Sequence, residues 1–441
     1  MSTTNLSRTL STGAATNKFT LSIWAKRNVD TAGRLFTATG SSGDVYFRFN
    51  GDATMEWSGD ASNASSAGYF ITNRKFEDYL SWYHFVIRFD STQASASDRL
   101  RFYVNGVQEE SFSTYTDINQ NAVDKINLSG NTHYIGATVS SQYFYGELAQ
   151  TILSIGYSYD PTTFGEVDST SGEWKPIPNP SLTYGTNGFN LSYETSSALG
   201  DDTSGNTNDF AVANGTPTQT LDCPSNAFAT LNPLYYQTTG AGVVLANGNT
   251  RCSYSPDSSR SAFGTIAVGT GKFYYEAKLN TVGTGPVLGV VDLAWNAING
   301  ASGYAFHDSA LNFGYSSSGQ KTSGGVNTAY GDSYTAGDII GVAIDKTNNK
   351  LYFSKNGVWQ DSGDPTSGAA GTGSAFNLAS DTLYTSACRM RNGGDWSFNF
   401  GNGYFGTTAV TSAGTGASTP GIFEYDVPNG YQPLTTRGLN T

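Results

Sequence analysis

Tyr334-Thr-Ala-Gly337-Asp-Ile-Ile-Gly341-Val-Ala-Ile-Asp345-Lys-Thr-Asn-Asn-Lys350-Leu-Tyr-Phe353-Ser-Lys-Asn356-Gly357-Val-Trp359-Gln360 reads as two strands and two turns. Ile339, Ile340, Val342 and Ile344 make an apolar, β-branched run bounded by Gly337 and by the polar turn from Asp345 to Lys350. Leu351, Tyr352 and Phe353 form the returning strand, and Asn356-Gly357 is the dipeptide favoured where a tight turn needs positive φ. Trp359 follows directly. A lone hairpin is unstable in water, so one of its faces must pack on a second sheet. The first half of the chain repeats the unit: Trp82-Tyr-His84-Phe-Val-Ile-Arg-Phe-Asp90 leads through a polar loop to Arg99-Leu-Arg-Phe-Tyr-Val-Asn105-Gly106-Val-Gln108. Two such units, far apart, predict an all-β chain of two antiparallel β-sandwiches in tandem.

Composition agrees. The 441 residues suffice for two to three domains that each bury a core. Aromatic residues at 13% beside charged residues at 14%, with 52 glycines, describe short strands joined by tight turns. No window sustains a 3.6-residue apolar period, and neither a short fixed repeat nor a heptad pattern is present. A formal charge of −12 with scattered Lys and Arg lacks the basic footprint of a nucleic-acid binder and disfavours anionic membranes. The N-terminus has no apolar core for a signal peptide and nowhere do 18 apolar residues run together, so synthesis in a cytoplasm without membrane insertion is expected. Cys223, Cys252 and Cys388 are too few and too spread for a disulfide scaffold or a zinc site. They read as small buried residues, with a Cys223–Cys252 bridge conceivable.

Along the chain, Phe19, Leu21, Ile23 and Ala25 alternate with polar positions, as do residues in Gly33–Ala38 and Asp44–Phe49. Ser58 to Gly68 reads as an exposed loop. Asp160-Pro161 and Trp174 to Pro180 carry turn chemistry, and Asn187 to Tyr193 reads as a strand closing the first sandwich. The expected divisions are a first sandwich over 1–215, an ordered linker over 216–233, a second sandwich over 234–403 and a tail over 404–441. Phe423 and Tyr425 in the tail suggest docking, on its own domain in preference to a partner.

Few residues carry catalytic chemistry. A retaining glycosidase needs two carboxylates about 5 Å apart. Glu424-Tyr-Asp426 has no third acid nearby, and Glu166-Val-Asp168 is followed only by Glu173 across a turn. His84, half-buried on a strand, His133 and His307 have no nucleophile motif beside them, so no triad is expected. Asp201, Asp202, Asn206, Asn208 and Asp209 concentrate oxygen ligands on one turn and form a weak calcium candidate, without the EF-hand frame. Asx side chains also populate such loops to hydrogen-bond their own backbone. No other cofactor is implied. Trp24, Trp82 and Trp396 fall within strand patterns and read as core. Trp57, Trp295 and Trp359 adjoin loops, and Tyr69, Tyr330 and Tyr334 border Gly- and Ser-rich segments; these six are the ligand-binding candidates, as exposed aromatic faces suit sugars.

Three resemblances add to this reading. Gly337-Asp-Ile-Ile-Gly341-Val-Ala-Ile-Asp345, Leu351-Tyr-Phe353 and Asn356-Gly357 resemble the signature of SPRY domains, with Gly271-Lys-Phe-Tyr-Tyr-Glu276, Gly303-Tyr304 and Phe398-Asn-Phe-Gly401 at its other marks. Trp82 to Gln108, with His133-Tyr-Ile-Gly136 and Gly146-Glu-Leu-Ala149, resembles a laminin-G-like, concanavalin A-type domain. The pairing is similar to structural proteins of tailed, marine-type bacteriophages. That resemblance implies a non-enzymatic virion surface protein, a tail-fibre, receptor-binding or capsid-decoration component. Its implied partners are other virion proteins and a host cell-surface glycan or protein, met through sandwich-edge loops, with a homotrimer by analogy. The competing expectations are a polysaccharide depolymerase and a purely structural assembly adaptor.

Overall fold

A computed structural model of the chain describes residues 4–29, 31–59, 68–78, 81–169, 172–233, 242–295, 305–415 and 421–439. Gly303-Tyr304, Leu234 and most of the polar loop after Ser58 lie outside them. The chain divides into two compact units, Met1–Gln219 and Thr220–Thr441, and each is a pair of sheets. The architecture is all-β, as the alternation predicts.

In the first unit an eight-stranded sheet runs in the order Phe112–Thr116, Tyr69–Lys75, Thr54–Ser58, Gly43–Phe49, Gly33–Gly40, Thr132–Ile135, Asn5–Thr9, Ala211–Asn214. It faces a six-stranded sheet ordered Phe189–Leu191, Gly146–Ile155, Lys18–Arg27, Tyr83–Asp90, Leu100–Val104, Val107–Glu109. Phe19, Leu21, Ile23, Phe85, Ile87 and Phe89 from the second meet Phe36, Phe47, Met55 and Trp57 from the first in one core. The strand read at Asn187–Tyr193 exists over Phe189–Leu191. Ala211–Asn214, which pairs with Asn5–Thr9, is a four-residue edge strand with no buried residue and so shows no in-out alternation.

In the second unit the larger sheet runs Val244–Ala246, Arg251–Tyr254, Gly394–Asn399, Lys272–Thr281, Ile339–Asp345, Lys350–Lys355, Val358–Trp359. Phe376–Asn377 and Gln432–Pro433 add to it locally. Opposite lies Arg260–Val268, Tyr384–Met390, Val287–Asp292, Phe313–Ser316, Gln320–Ser323, Val326–Ala329. The segment expected as a linker is joined to this unit at its far end: Leu231 is fully buried and its N–H donates to Asn249 O (2.7 Å), while Ala229 N–H donates to Leu434 O (2.8 Å).

The two Asn-Gly hairpins use one device. Asn105 and Asn356 take φ of 49° and 48°, and Gly106 and Gly357 take 80° and 82°. Each asparagine also reaches across its hairpin: His84 N–H donates to Asn105 Oδ1 (2.8 Å) and Ile339 N–H to Asn356 Oδ1 (2.8 Å). The side chain thereby satisfies a backbone donor at the start of the leading strand and pins the register, which in a sheet decides which face every side chain takes.

Both hairpin sheets are also covered on their outer side, which accounts for the unbroken burial of Lys18–Arg27 after its first residue and of Ile339–Asp345. In the first unit Phe164, Tyr159 and Tyr184 pack on Val86, Tyr103 and Ile152. In the second, Phe423, Val427 and Tyr431 pack on Tyr274, Ala343 and Tyr352, and Gln432–Pro433 pairs in parallel with Phe273 and Tyr274. Each of those three tail side chains gains on the order of 1.5–3 kcal/mol from burial. The tail docks on its own unit.

Candidate functional site

Trp359 ends the hairpin of the second unit, half-buried, with its ring edge-on to Tyr274 (6.3 Å) and Tyr352 (6.5 Å). Its orientation comes from the next residue. Gln360 is buried, its Oε1 accepting from Asp332 N–H (2.7 Å) and its Nε2 donating to Val358 O (2.9 Å), so the chain is plugged inward one residue past the tryptophan. Asp361 and Ser362 then take left-handed φ of 53° and 52°, a conformation that costs non-glycine residues energy and throws the following loop back over the sheet.

A cleft of about 430 Å³ opens beside Trp359, lined by Asp364, Pro365 and Thr366 from that loop and by Thr415, Asp426 and Pro428 from the tail. Asp364 Oδ1 accepts from Thr366 N–H (2.8 Å) and Oγ1 (2.6 Å); Asp426 Oδ1 accepts from Thr415 N–H (2.7 Å) and Oγ1 (3.0 Å). These bonds hold both carboxyls below the usual carboxylate range. Among the described residues no hydrogen bond reaches the second oxygen of either, so each remains an acceptor for a ligand. Tyr431 Oη donates to Pro365 O (3.0 Å) and ties the two walls together.

The tail wall is anchored by a buried acid. Glu276 is fully buried; its Oε2 accepts from Glu424 N–H (2.9 Å) and its Oε1 from Tyr425 N–H (2.9 Å) and Tyr274 Oη (3.1 Å). Burial pushes its carboxyl up to about 7, against the lowering effect of those donors. Room for the neighbouring polar groups comes from Gly341, where a Cβ would stand 2.4 Å from Ser354 Oγ and 2.5 Å from Tyr274 Oη.

The other aromatic candidates do not converge here. Trp57 is fully buried in the first core, 5.6 Å from Phe19, since strand alternation aims it inward with Met55. Tyr330 and Tyr334 are core residues of the second unit: Tyr334 Oη donates to Tyr315 O (2.7 Å), and Tyr330 packs edge-on against Tyr315. Their Gly- and Ser-rich neighbours suggest exposure, but both rings turn into the core, where they meet Tyr315. These three corrections remove half the set. Trp295 is half-buried against Phe263, Phe306 and their neighbours, away from the cleft. Tyr69 lies half-buried in the first unit beside Glu56, its hydroxyl raised by burial and by that carboxylate.

The acidic turn is a hydrogen-bonded clasp. Asp202 accepts from the backbone N–H of Asn190 (2.8 Å), Ser204 (2.9 Å) and Asn208 (2.9 Å), and Asp209 Oδ1 from Asp202 N–H (2.8 Å). Asn206 and Asn208 donate to Gly188 O (3.0 and 2.8 Å), and Asn208 Oδ1 accepts from Arg8. The Asx reading describes this loop; among the described residues no group of three or more acids, histidines or cysteines is placed to hold a metal.

His84 is wholly buried, not half-buried, and stands 2.8 Å from Ser22 Oγ through Nε2. The pair looks like a nucleophile and its base, yet its protons run the wrong way. Trp174 Nε1–H, which can only donate, points at His84 Nδ1 (3.0 Å), so Nε2 carries the hydrogen and donates to the serine. Burial lowers the imidazole to about 3, and stacking on Trp24 (4.5 Å) completes a structural plug. Glu166 and Asp168 are likewise engaged, by Lys175 at 3.7 and 2.8 Å.

Comparison with known families assigns the two units. A model of the concanavalin A-like lectin/glucanases superfamily matches residues 3–153, and the SPRY domain model matches 272–402. Residues 3–153 carry a concanavalin A-like domain and residues 272–402 a SPRY domain, in tandem. Among solved structures it is similar to the SPRY domain of human HERC1 (16% identity, 38% of this chain and 96% of that one, TM-score 0.29). It is also similar to the SAP-like pentraxin of Limulus polyphemus (17%, 36% and 72%, TM-score 0.26) and to a human SPRY domain (17%, 35% and 93%, TM-score 0.26). No curated protein matches in sequence. The tandem is that of a binding or protein-interaction module, and the Trp359 cleft lies between the matched SPRY segment and the tail that follows it.

Proposed function

We propose that this protein is a non-enzymatic surface component of a tailed-phage virion, a receptor-binding fibre or capsid-decoration protein, whose SPRY domain takes a host glycan at the Trp359 cleft. The observation that carries the binding reading is the cleft itself: a half-exposed indole edge flanked by two carboxylates whose free oxygens can accept sugar hydroxyls. Their first oxygens are fixed by threonine turns, so the acceptors are held in place before the ligand arrives. The virion assignment rests on the sequence resemblance to phage structural proteins. Copies on one particle, as trimers, would raise weak single-site affinity by avidity.

A glycan array with the purified chain tests the site. Binding should fall about tenfold in Trp359→Ala, the loss of one aromatic platform, while Trp295→Ala keeps it. An array without signal, together with a stable complex with another virion protein, would replace the glycan reading by the adaptor one. That second reading has its own support in the exposed valines of the sheet edges, Val326 at 66% and Val358 at 67%. Immunogold labelling of intact particles would locate the protein on head or tail, and absence of label would sink the virion assignment. Release of reducing ends from host glycan, abolished by one carboxylate substitution, would establish a depolymerase instead.

A further inference from the structure

Cys252 and Cys388 sit on opposite sheets of the SPRY domain with their sulfurs 3.3 Å apart, and both side chains are fully buried. Cys252 lies on Arg251–Tyr254, paired with Trp396; Cys388 lies on Tyr384–Met390, paired with Ala262 and Leu288. A disulfide bond is about 2.05 Å long, so closing it asks for roughly 1.3 Å of mutual approach in total. Beyond the facing sulfur, the Cys252 sulfur meets the Trp396 backbone N–H, and both cysteines lie in the core cluster that holds Leu279, Leu288, Met390 and Trp396. The bridge conceived between Cys223 and Cys252 is not the geometry found: Cys223 is half-exposed, its sulfur 3.5 Å from Ser225 Oγ.

We propose that Cys252 and Cys388 are an oxidation site, forming an inter-sheet disulfide when the chain folds in the presence of a small-molecule disulfide such as oxidised glutathione. One cysteine, as thiolate, attacks the glutathione disulfide, giving a protein–glutathione mixed disulfide and releasing one glutathione thiolate. The second cysteine, deprotonated in turn, attacks the protein sulfur and expels the second glutathione. Two thiols are oxidised, one glutathione disulfide is reduced to two thiols, and the two protein protons end on those thiols. Once the domain is closed the reaction is slow, because burial raises the Cys252 thiol and withholds the thiolate that must attack. The bond therefore belongs to folding or to transient opening. It would span 136 positions of sequence and enclose Ile339 to Trp359, the hairpin that carries the cleft.

The test uses the full chain. It is refolded from denaturant in a reduced/oxidised glutathione couple, and in parallel the never-unfolded reduced protein is held with oxidised glutathione near its melting temperature. Digestion without reductant should yield one peptide joining Cys252 to Cys388, with Cys223 alkylated as a free thiol, and an intact mass lower by about 2 Da for the two hydrogens lost. A ring of this size should raise the melting temperature of the SPRY domain by roughly 10 °C, reversed by dithiothreitol. Cys223→Ser should behave identically, which tests the pairing without touching the core. Folded protein that keeps three alkylatable thiols on both routes, or a link through Cys223, overturns the proposal.

Discussion

Lowering the pH from 7 to 5 should weaken the concanavalin A-like domain and strengthen the SPRY domain. In the first, burial lowers His84 to about 3 and His133 to about 4 from an ordinary 6.5. Between pH 6.5 and those values the unfolded chain binds protons that the folded one refuses, so stability is lost as pH falls. At pH 5 each histidine costs about 2 kcal/mol relative to pH 7, about 4 together. In the SPRY domain Glu276 is raised from 4.5 to about 7 by burial, so here the folded state holds the proton and stability is lost as pH rises through that window. Its gain between pH 7 and 5 is about 2 kcal/mol. The protonated form is accommodated because Glu276 can donate to Tyr274 Oη, whose hydrogen turns to the adjacent Ser354. Calorimetry at pH 5, 6 and 7 should resolve two transitions, one falling by roughly 10 °C and the other rising by roughly 4–8 °C. The window lies above the range in which the lowered carboxyls of Asp52, Asp90, Asp338 and Asp364 titrate. Glu276→Gln should abolish the rise and leave the fall. If both transitions move together, or Glu276→Gln retains the rise, the burial argument is wrong.

Three further outcomes follow from the same contacts. Gly357→Ala places a Cβ 2.6 Å from the Tyr425 ring at φ 82°, whereas Gly430 has the same φ with nothing within 4 Å, so Gly357→Ala should cost roughly 1–3 kcal/mol more than Gly430→Ala in denaturant unfolding. Equal costs would mean that Tyr425 does not rest on the turn. Asp202→Ala should destabilise the first domain by about 1–3 kcal/mol through its orphaned backbone donors, and millimolar calcium should leave the melting temperature of the unmutated chain unchanged; a calcium-dependent rise would restore the metal reading. Nitrogen NMR should find His84 protonated at Nε2, and Trp174→Phe should release that preference; a proton at Nδ1 in the unmutated chain would refute the assignment.

The parts of this fold that were legible in the sequence are those written in short-range chemistry. Asn105-Gly106 and Asn356-Gly357 announce their turns because only a few residues tolerate positive φ, and alternation places Phe19, Leu21 and Ile23 on one face. Trp57, Tyr330 and Tyr334 were misplaced because loop composition beside a residue says nothing about which side of the sheet it faces. The cleft was legible at one wall only. Trp359 follows its turn, but the opposing wall comes from Asp426 and Pro428, and the acid anchoring that wall lies 148 positions before Glu424. No local pattern carries such a distance. One signal was present and unread: Asp52, Asp90 and Asp364 each accept from the threonine two residues later, so Asp-x-Thr marks carboxylates pinned at turns.

Because the outer aromatic face of the SPRY sheet is closed by Phe423, Val427 and Tyr431, the order of synthesis leaves an interval in which Tyr274 and Tyr352 have no cover. From Trp359 to Leu434 a ribosome adds 75 residues, roughly 4–15 s at ordinary elongation rates. During that time nascent chains on one messenger present bare tyrosine faces to one another. Expression yield should therefore respond to temperature and to holdase chaperones through this interval, independently of how stable the finished domain is.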